Sequence, residues 1–386
     1  MEHGAAHTDE AFRAEVREWL AANLCGKFEP LRGVGGSGRE HEAIGLRREW
    51  EKVLGAAGWI GLGLPVEVGG RGASLMRQVI FAEEYARAGG PGRVNHMGEH
   101  LLAPTLVEFG SDALRERFLP GVLRGEDLWC QGYSEPGAGS DLAGVRTRAR
   151  IVDGSWVIDG QKVWTSLAAD ADWCFVIART EPGSERHRGL SYLLVPMRQD
   201  GVDIRPIRQI TGTAEFSEVF FDGARTELDC VVGAPGDGWR VAMGTLGFER
   251  GVATLAQQVG FQRELDHAIA SAREAGVAED PSIADRLVRA WIDLRVMRYQ
   301  ALRTLGTTDA AAASVSKLLW ANWHRRLGEL QIDIGGADAT VIDGEPYELT
   351  RDQALFLYTR ADTIYAGSNE IQRNIIAERV LGLPRG

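Results

Sequence analysis

Residues 129–144 read WCQGYSEPGAGSDLAG, and residues 159–180 read DGQKVWTSLAADADWCFVIART. The first stretch gathers Gly137, Gly139, Ser134 and Ser140 around a Glu-Pro turn. Glycines let backbone N–H groups come close to a flat or anionic ligand. The second stretch sets Trp164 beside Thr165 and Ser166, an aromatic face next to hydroxyl donors. A planar heterocycle such as a flavin needs that combination, a stacking surface plus hydrogen bonds to its polar edge.

Outward from these segments the character of the chain changes twice. Before about Leu128 it reads helical, with Phe12, Val16, Trp19 and Leu20 on one face of a first helix. Residues 31–40, LRGVGGSGRE, read as a mobile Gly-rich loop, and Gly-Gly pairs and Pro65 separate further helices. From Arg146 to Val232 short runs rich in Val, Ile, Trp, Tyr and Phe take over. Asp153-Gly154, Asp159-Gly160, Asp200-Gly201 and Asp222-Gly223 lie between them and signal hairpins of an antiparallel β domain. After APGDGW at residues 234–239 the helical spacing returns, through Phe248, Val252, Leu255 and Val259. Long helices are expected over 283–306 and 308–331, and a last one over about 369–381. This segregated order predicts an α+β fold, with a helical domain at 1–127, a β domain at 128–233 and a helical bundle at 234–386.

Composition narrows the function. The formal charge of -11 argues against a nucleic-acid partner, which would need a basic face. Cys25, Cys130, Cys174 and Cys230 are scattered without paired or metal-ligand spacing. His96 and His100 stand four apart with no third ligand at a matching distance, so no metal site is expected. The polar start and the lack of a long apolar run predict a cytoplasmic protein without a membrane partner.

Together, in this order and spacing, the two segments resemble the acyl-CoA dehydrogenase family, and the resemblance runs over about residues 8–384. It implies an N-terminal helical domain, a central antiparallel β domain, a C-terminal four-helix bundle and bound FAD. It implies a reaction in which a carboxylate takes the α-proton of an acyl thioester and the β-hydrogen leaves as hydride to the flavin. Donors must then stabilise the enolate forming at the thioester oxygen. By resemblance Tyr133 and Ser134 lie at the pyrimidine side of the flavin, and Gly139 and Ser140 contact flavin or coenzyme A. Trp164 packs on the ring, and Thr165 and Ser166 lie near its polar edge, with Ser166 the positional match. Arg273, Ser368 and Glu370 join the cofactor contacts, while Ser140, Arg250 and Gly367 fall at the substrate.

The base is the instructive position. Residues 362–382, DTIYAGSNEIQRNIIAERVLG, resemble the family's closing motif, where some members carry the catalytic Glu just after the Tyr. Here that position is Ala366, which keeps only its backbone N–H for the thioester oxygen. A second branch of the family, isovaleryl- and long-chain-like, places the base in an earlier Glu-Arg pair, matched here by Glu249 and Arg250. Taken alone, Glu249 reads as a solvated helix charge or as one partner of an ion pair with a neighbouring Arg; the flavin motifs and Ala366 turn that reading toward a base. The family's Arg-x-x-Phe-Gly stretch is represented only by Arg273, and Gln331 stands one residue too far from Gly335. Heteromeric steroid-CoA dehydrogenases resemble this chain in departing there. The expected partners are an acyl-CoA or acyl-carrier-protein substrate and an electron-transferring flavoprotein. The expected assembly is a homodimer or homotetramer, with a heterotetramer as the alternative. A flavin oxidase or monooxygenase on the same fold is the remaining rival.

Overall fold

The computed structural model describes residues 8–36, 38–248, 253–304, 310–341 and 348–384. The Thr8 side chain accepts from the Ala11 N–H at 3.2 Å, and Asp9 and Glu10 occupy the first turn of the helix that follows. That helix, α1 (Asp9–Asn23), buries Phe12, Val16 and Leu20 as its spacing predicts. Trp19 is only half-buried and packs its ring 5.7 Å from Trp50 and 5.6 Å from Trp59. Helices α2 (Ile44–Ala56), α3 (Leu75–Arg87), α4 (Ala103–Phe109) and α5 (Asp112–Leu123) complete the N-terminal group.

The Gly-rich stretch after α1 is laced in place. Gly33 N–H donates to Gly89 O at 2.8 Å, and Gly35 N–H to the Glu42 carboxylate at 2.9 Å. The fully buried Arg47 ties Glu40 O and Gly92 O from beneath.

Eight strands follow: β1 (Trp129–Gly132), β2 (Arg148–Val152), β3 (Ser155–Ser166), β4 (Trp173–Arg179), β5 (Leu190–Pro196), β6 (Val202–Ile207), β7 (Phe216–Glu227) and β8 (Val231–Val232). They form one sheet in the order β6-β7-β3-β2-β4-β5-β8, with β1 added beside β4. Most pairs are antiparallel as expected, but β1 and β2 both run parallel to β4. Asp153 and Gly154 both adopt positive φ and close the β2–β3 hairpin. Asp200-Gly201 likewise lies in the turn between β5 and β6.

The other two Asp-Gly pairs are not hairpins, which corrects the sequence reading. Asp159-Gly160 lies inside β3 and Asp222-Gly223 inside β7. Gly160 is there because Thr147 crosses closely; an added Cβ would stand 2.5 Å from its Oγ1. Gly223 is the extra residue of a bulge, and its N–H donates to Asp159 Oδ1 at 2.9 Å.

Two layers of core flank the sheet. Trp129, Tyr133, Phe175, Ile177 and Tyr192 face Leu101, Leu106, Phe118 and Val241 of the helical elements. Cys130, Cys174, Val176, Leu193, Val219 and Phe221 point the other way, toward Trp156 and Ile158. Adjacent residues of β1 and β4 thus serve opposite faces, the period of two expected of strands.

Among the described residues six α-helices close the chain: α6 (Gly238–Phe248), α7 (Ala253–Glu274), α8 (Pro281–Thr304), α9 (Ala310–Gly335) and, after a break, α10 (Arg351–Tyr358), with α11 (Asn369–Ile375) last. By contact the chain divides into two units, Met1–Gln78 with Ala88–Arg250, and Val79–Arg87 with Gly251–Gly386. The second unit has its own core, built from Phe261, Leu265, Leu294, Met297, Trp323, Leu327 and Leu330 of α7, α8 and α9. Helices α10 and α11 lie along α9. No helix among the described residues is long and apolar enough to cross a membrane.

Candidate active site

In the first unit the two opening segments lie side by side. Val163 N–H donates to Ser134 O at 2.9 Å, so the Glu-Pro turn is pinned to the end of β3. Between Lys162 and Thr165 the β3–β7 register shifts: three steps on β3 span the two from Val219 to Ser217. One extra residue therefore bulges from β3, and the facing pattern reverses beyond it. Lys162 and Thr165 both point inward with no exposed surface, while Trp164 stands out with 58% of its surface exposed. Trp164 has φ +60°, uncommon for a bulky residue, and its ring meets Phe216 edge-on at 6.2 Å. The bulge thus converts an alternating strand into a platform that presents one large aromatic face.

A buried ion pair underlies this platform. Lys162 Nζ donates to Glu135 Oε1 at 2.8 Å, to Ile177 O at 2.8 Å and to Tyr133 O at 3.1 Å. Glu135 accepts in addition from the Arg146 and Thr147 N–H groups, at 2.6 and 2.9 Å. Burial pushes the Glu135 carboxyl up, but Lys162 and these donors outweigh it and hold it below the ordinary range. Glu135 and Lys162 were legible only as members of a turn and a strand; the signal was a lysine inside a run of strand-forming residues.

A second fastener is Arg179, whose guanidinium donates to the carbonyls of Ala143, Val145, Ser184, Arg186 and Arg188. It joins the loop after the Glu-Pro turn to the basic loop at 186–188. Within that loop Arg186 pairs with Asp141 at 3.0 Å, and the His187 ring lies 4.3 Å from that of Trp239.

The predicted contacts divide accordingly. Tyr133 is buried, its ring edge-on to Phe175 and Tyr192, so it meets the loop side chiefly through its backbone. Ser134 and Ser166 are half-buried, and Gly139 and Ser140 are exposed. An added Cβ at Gly137 or Gly139 would meet nothing within 4 Å, so this backbone is open to a ligand. Thr165 faces the strand interior, its Oγ1 without a hydrogen-bond partner among the described residues. Gln131 Nε2, two residues ahead of Tyr133 on β1, is buried and equally unpartnered. An exposed aromatic face, an open glycine backbone and unspent donors fit a flavin.

In the second unit the closing motif forms a tight turn followed by α11. Ala366 has φ +51° and Gly367 φ +84°. Neither N–H meets an acceptor among the described residues. Gln372 Nε2 donates to Ala366 O at 3.2 Å and to Gly367 O at 3.4 Å. An added Cβ on Gly367 would stand 2.4 Å from that same Nε2, which is why glycine is needed there. Ser368 caps α11 and accepts from the Ile371 N–H. Glu370 is exposed in the first turn, its carboxyl held low by its own backbone N–H and by Ser368. Arg273 is exposed in the last turn of α7. Glu249 and Arg250 lie outside the described residues.

Comparison with known proteins gives these features a context. Three family models match in order: the acyl-CoA dehydrogenase N-terminal domain at residues 6–126, the middle domain at 130–224 and the C-terminal domain at 236–381. The chain is 62% identical over 380 residues to the acyl-CoA dehydrogenase IpdE1 of Mycobacterium tuberculosis, covering 97% of this chain and 98% of the relative. Among solved structures, the Tcur3481-Tcur3483 steroid ACAD superimposes with a TM-score of 0.83 at 30% identity over the whole of both chains. The ChsE4-ChsE5 complex from Mycobacterium tuberculosis gives 0.80 at 29%, again over both chains entire. On this footing the chain belongs to the acyl-CoA dehydrogenase family, oxidoreductases that act on CH–CH bonds.

Proposed function

We propose that this protein removes the α- and β-hydrogens of an acyl-CoA thioester with a noncovalently bound FAD. Trp164 is the observation that carries the reading: a bulky residue held at positive φ by a bulge, with its face exposed beside an open glycine loop. Trp164, Ser134, Ser166 and the 137–140 backbone would hold the flavin. When bound, FAD supplies the acceptor for the β-hydrogen and its electron pair.

The rest of the chemistry belongs to the chain. Glu249 takes the α-proton, as in the Glu-Arg branch of the family. The Ala366 N–H, left open by its turn, donates to the thioester oxygen as negative charge builds there. By resemblance to the family, Arg250 and Gly367 would each contact the acyl end of the substrate, and Ser140 with the Arg186 loop would meet its CoA side. Electrons leave for an electron-transferring flavoprotein. The similarity to a steroid ACAD supports a bulky, steroid-derived acyl group and a CoA carrier rather than a carrier protein.

The test is Glu249→Gln, assayed on a panel of straight-chain, branched and steroid-side-chain acyl-CoA thioesters. The variant should keep its flavin and bind the best substrate. It should lose about 10²-fold to 10⁴-fold in the rate of flavin reduction, the usual cost of removing a general base. A wild-type rate of flavin bleaching in this variant would leave Glu249 a structural charge. No turnover of any panel member by the flavin-loaded protein would sink the whole reading.

A further inference from the structure

A line of buried charge ends at the 365–367 turn. Asp362, fully buried, lies four residues ahead of Ala366. Its Oδ1 accepts from the Tyr365 hydroxyl at 2.6 Å, and its Oδ2 from His324 Nδ1 at 2.7 Å. Its main-chain oxygen accepts from Lys317 Nζ at 2.6 Å. On the other side of the imidazole, His324 Nε2 meets Glu264 Oε2 at 2.8 Å. With carboxylates at both nitrogens the ring donates twice, which only the imidazolium can do. Burial alone would push His324 down, yet the Glu264 and Asp362 carboxylates outweigh it and lift it to about 10. The Lys317 ammonium lies 4.0 Å from the Trp320 ring centroid and 4.5 Å from that of Tyr365.

These groups come from separate parts of the second unit. Glu264 is on α7, Lys317 and His324 are on α9, and Asp362 and Tyr365 lead into the turn. They converge where the backbone is least able to hold itself. Ala366 carries a Cβ at φ +51°, a conformation that persists only where its surroundings over-determine it. Gln372 fixes two carbonyls of the turn; Asp362 and Tyr365 fix the approach to it. A packing role would account for the burial. It would not account for a charge line that terminates on the residue directly before the open N–H groups.

We propose that Glu264, His324, Asp362 and Tyr365 are a positioning relay that aims the Ala366 and Gly367 N–H groups at the thioester oxygen. This rests on the reading that the turn receives that oxygen. None of the four touches the reacting atoms; they act through the turn.

The experiment compares two ligands on the flavin-loaded enzyme. One is the acyl-CoA turned over fastest in the panel, and the other is its S-alkyl-CoA thioether, which lacks the carbonyl. Binding is read from the flavin spectrum for wild type, His324→Gln and Tyr365→Phe. Wild type should prefer the thioester at least about tenfold, the scale of an oriented donor. Both variants should lose most of that preference while holding the thioether and the flavin as wild type does. Should His324→Gln fail to load flavin, Tyr365→Phe carries the test, since it removes one oxygen from a ring that is 36% exposed. A wild type that binds both ligands alike would remove the reading of the turn and the relay with it. Undiminished preference in the folded variants would overturn the relay and leave that reading standing. A second arm needs no substrate. Amide exchange in a peptide spanning 363–373 should quicken in the variants while α9 stays protected, and unchanged exchange in 363–373 would also overturn the relay.

Discussion

Lys162 is a cation without exposed surface whose three acceptors fix one strand to the turn above it. Removing it leaves Glu135 charged and buried, and breaking a buried pair from one side costs about 3–5 kcal/mol. Lys162→Met should therefore unfold at markedly lower denaturant, and adding Glu135→Gln should recover part of the loss. Chemical denaturation of wild type and the two variants measures this. A single variant as stable as wild type would show that the pair is ornamental to the fold. Trp164 asks a different question, since its exposed ring contributes little to packing. Stacking on an aromatic face is worth about 1–3 kcal/mol per planar ring. Trp164→Ala should thus weaken FAD binding several-fold or more with little change in the stability of the apoprotein, and by more than Trp291→Ala does. Titration of apoprotein with FAD decides it, and equal effects would remove the stacking role. At this scale the sequence was half legible. Trp164 could be found because an aromatic beside hydroxyls is conspicuous. Ser166 was set apart from Thr165 by the resemblance alone, because the one-residue bulge that turns Thr165 inward is set by the partner strand. Lys162 was missed because a strand lysine ordinarily points to water.

The elements themselves were easier to read than their junctions. Helical spacing and β-branched runs are local, so their order along the chain followed directly, and α8 and α9 fall within a few residues of their expected ends. Asp159-Gly160 and Asp222-Gly223 misled because the same dipeptide serves a hairpin and a bulge, and only the partner strand distinguishes them. The Glu264–His324–Asp362 line was invisible for a related reason: its members are 60 and 38 residues apart and meet only when α7, α9 and the segment before α11 pack. That line makes a pH prediction. His324 titrates near 6.5 when unfolded and near 10 in the fold, so it contributes stability in full below about 6.5 and loses it as pH rises through about 10. Tyr365, which donates to Asp362, has its phenol pushed well above its ordinary value, first by burial, and does not titrate in that window. Lys317 Nζ donates to the Asp362 main-chain oxygen. The unfolding free energy of wild type should fall from pH 7 to pH 10.5 by more than that of His324→Gln, a difference on the order of a few kcal/mol. Parallel pH curves for the two would mean that the imidazole is not charged in the fold.

For the molecule as a whole, α8 carries a feature that the single chain does not use. One of its faces, Ile283, Leu294, Met297 and Ala301, is buried in the core of the second unit. Another, Val288, Trp291, Ile292, Val296, Tyr299 and Leu302, is exposed by 37% to 69%. A surface helix normally pairs its apolar stripe with a polar opposite side. Here large apolar residues recur every three or four positions on the outside as well, and monomers rarely leave contiguous apolar patches beyond a few hundred Å². The reading that follows is an oligomer assembled through this helix. A homo-oligomer requires only copies of this chain, whereas the structural relatives named as complexes raise a second polypeptide as the alternative. Light scattering on the purified, flavin-loaded protein should give a dimer or tetramer. Placing charge at the centre of the face, Ile292→Glu with Val296→Glu, should shift it toward monomer at micromolar concentration while the far-ultraviolet spectrum stays that of a folded chain. If the wild-type chain alone is a monomer that holds little flavin, co-expression with a candidate partner should restore both mass and colour, and the exposed face would then belong to a heteromer. An active, flavin-loaded monomer would refute both forms of the idea, because the outer stripe of α8 would then face only water.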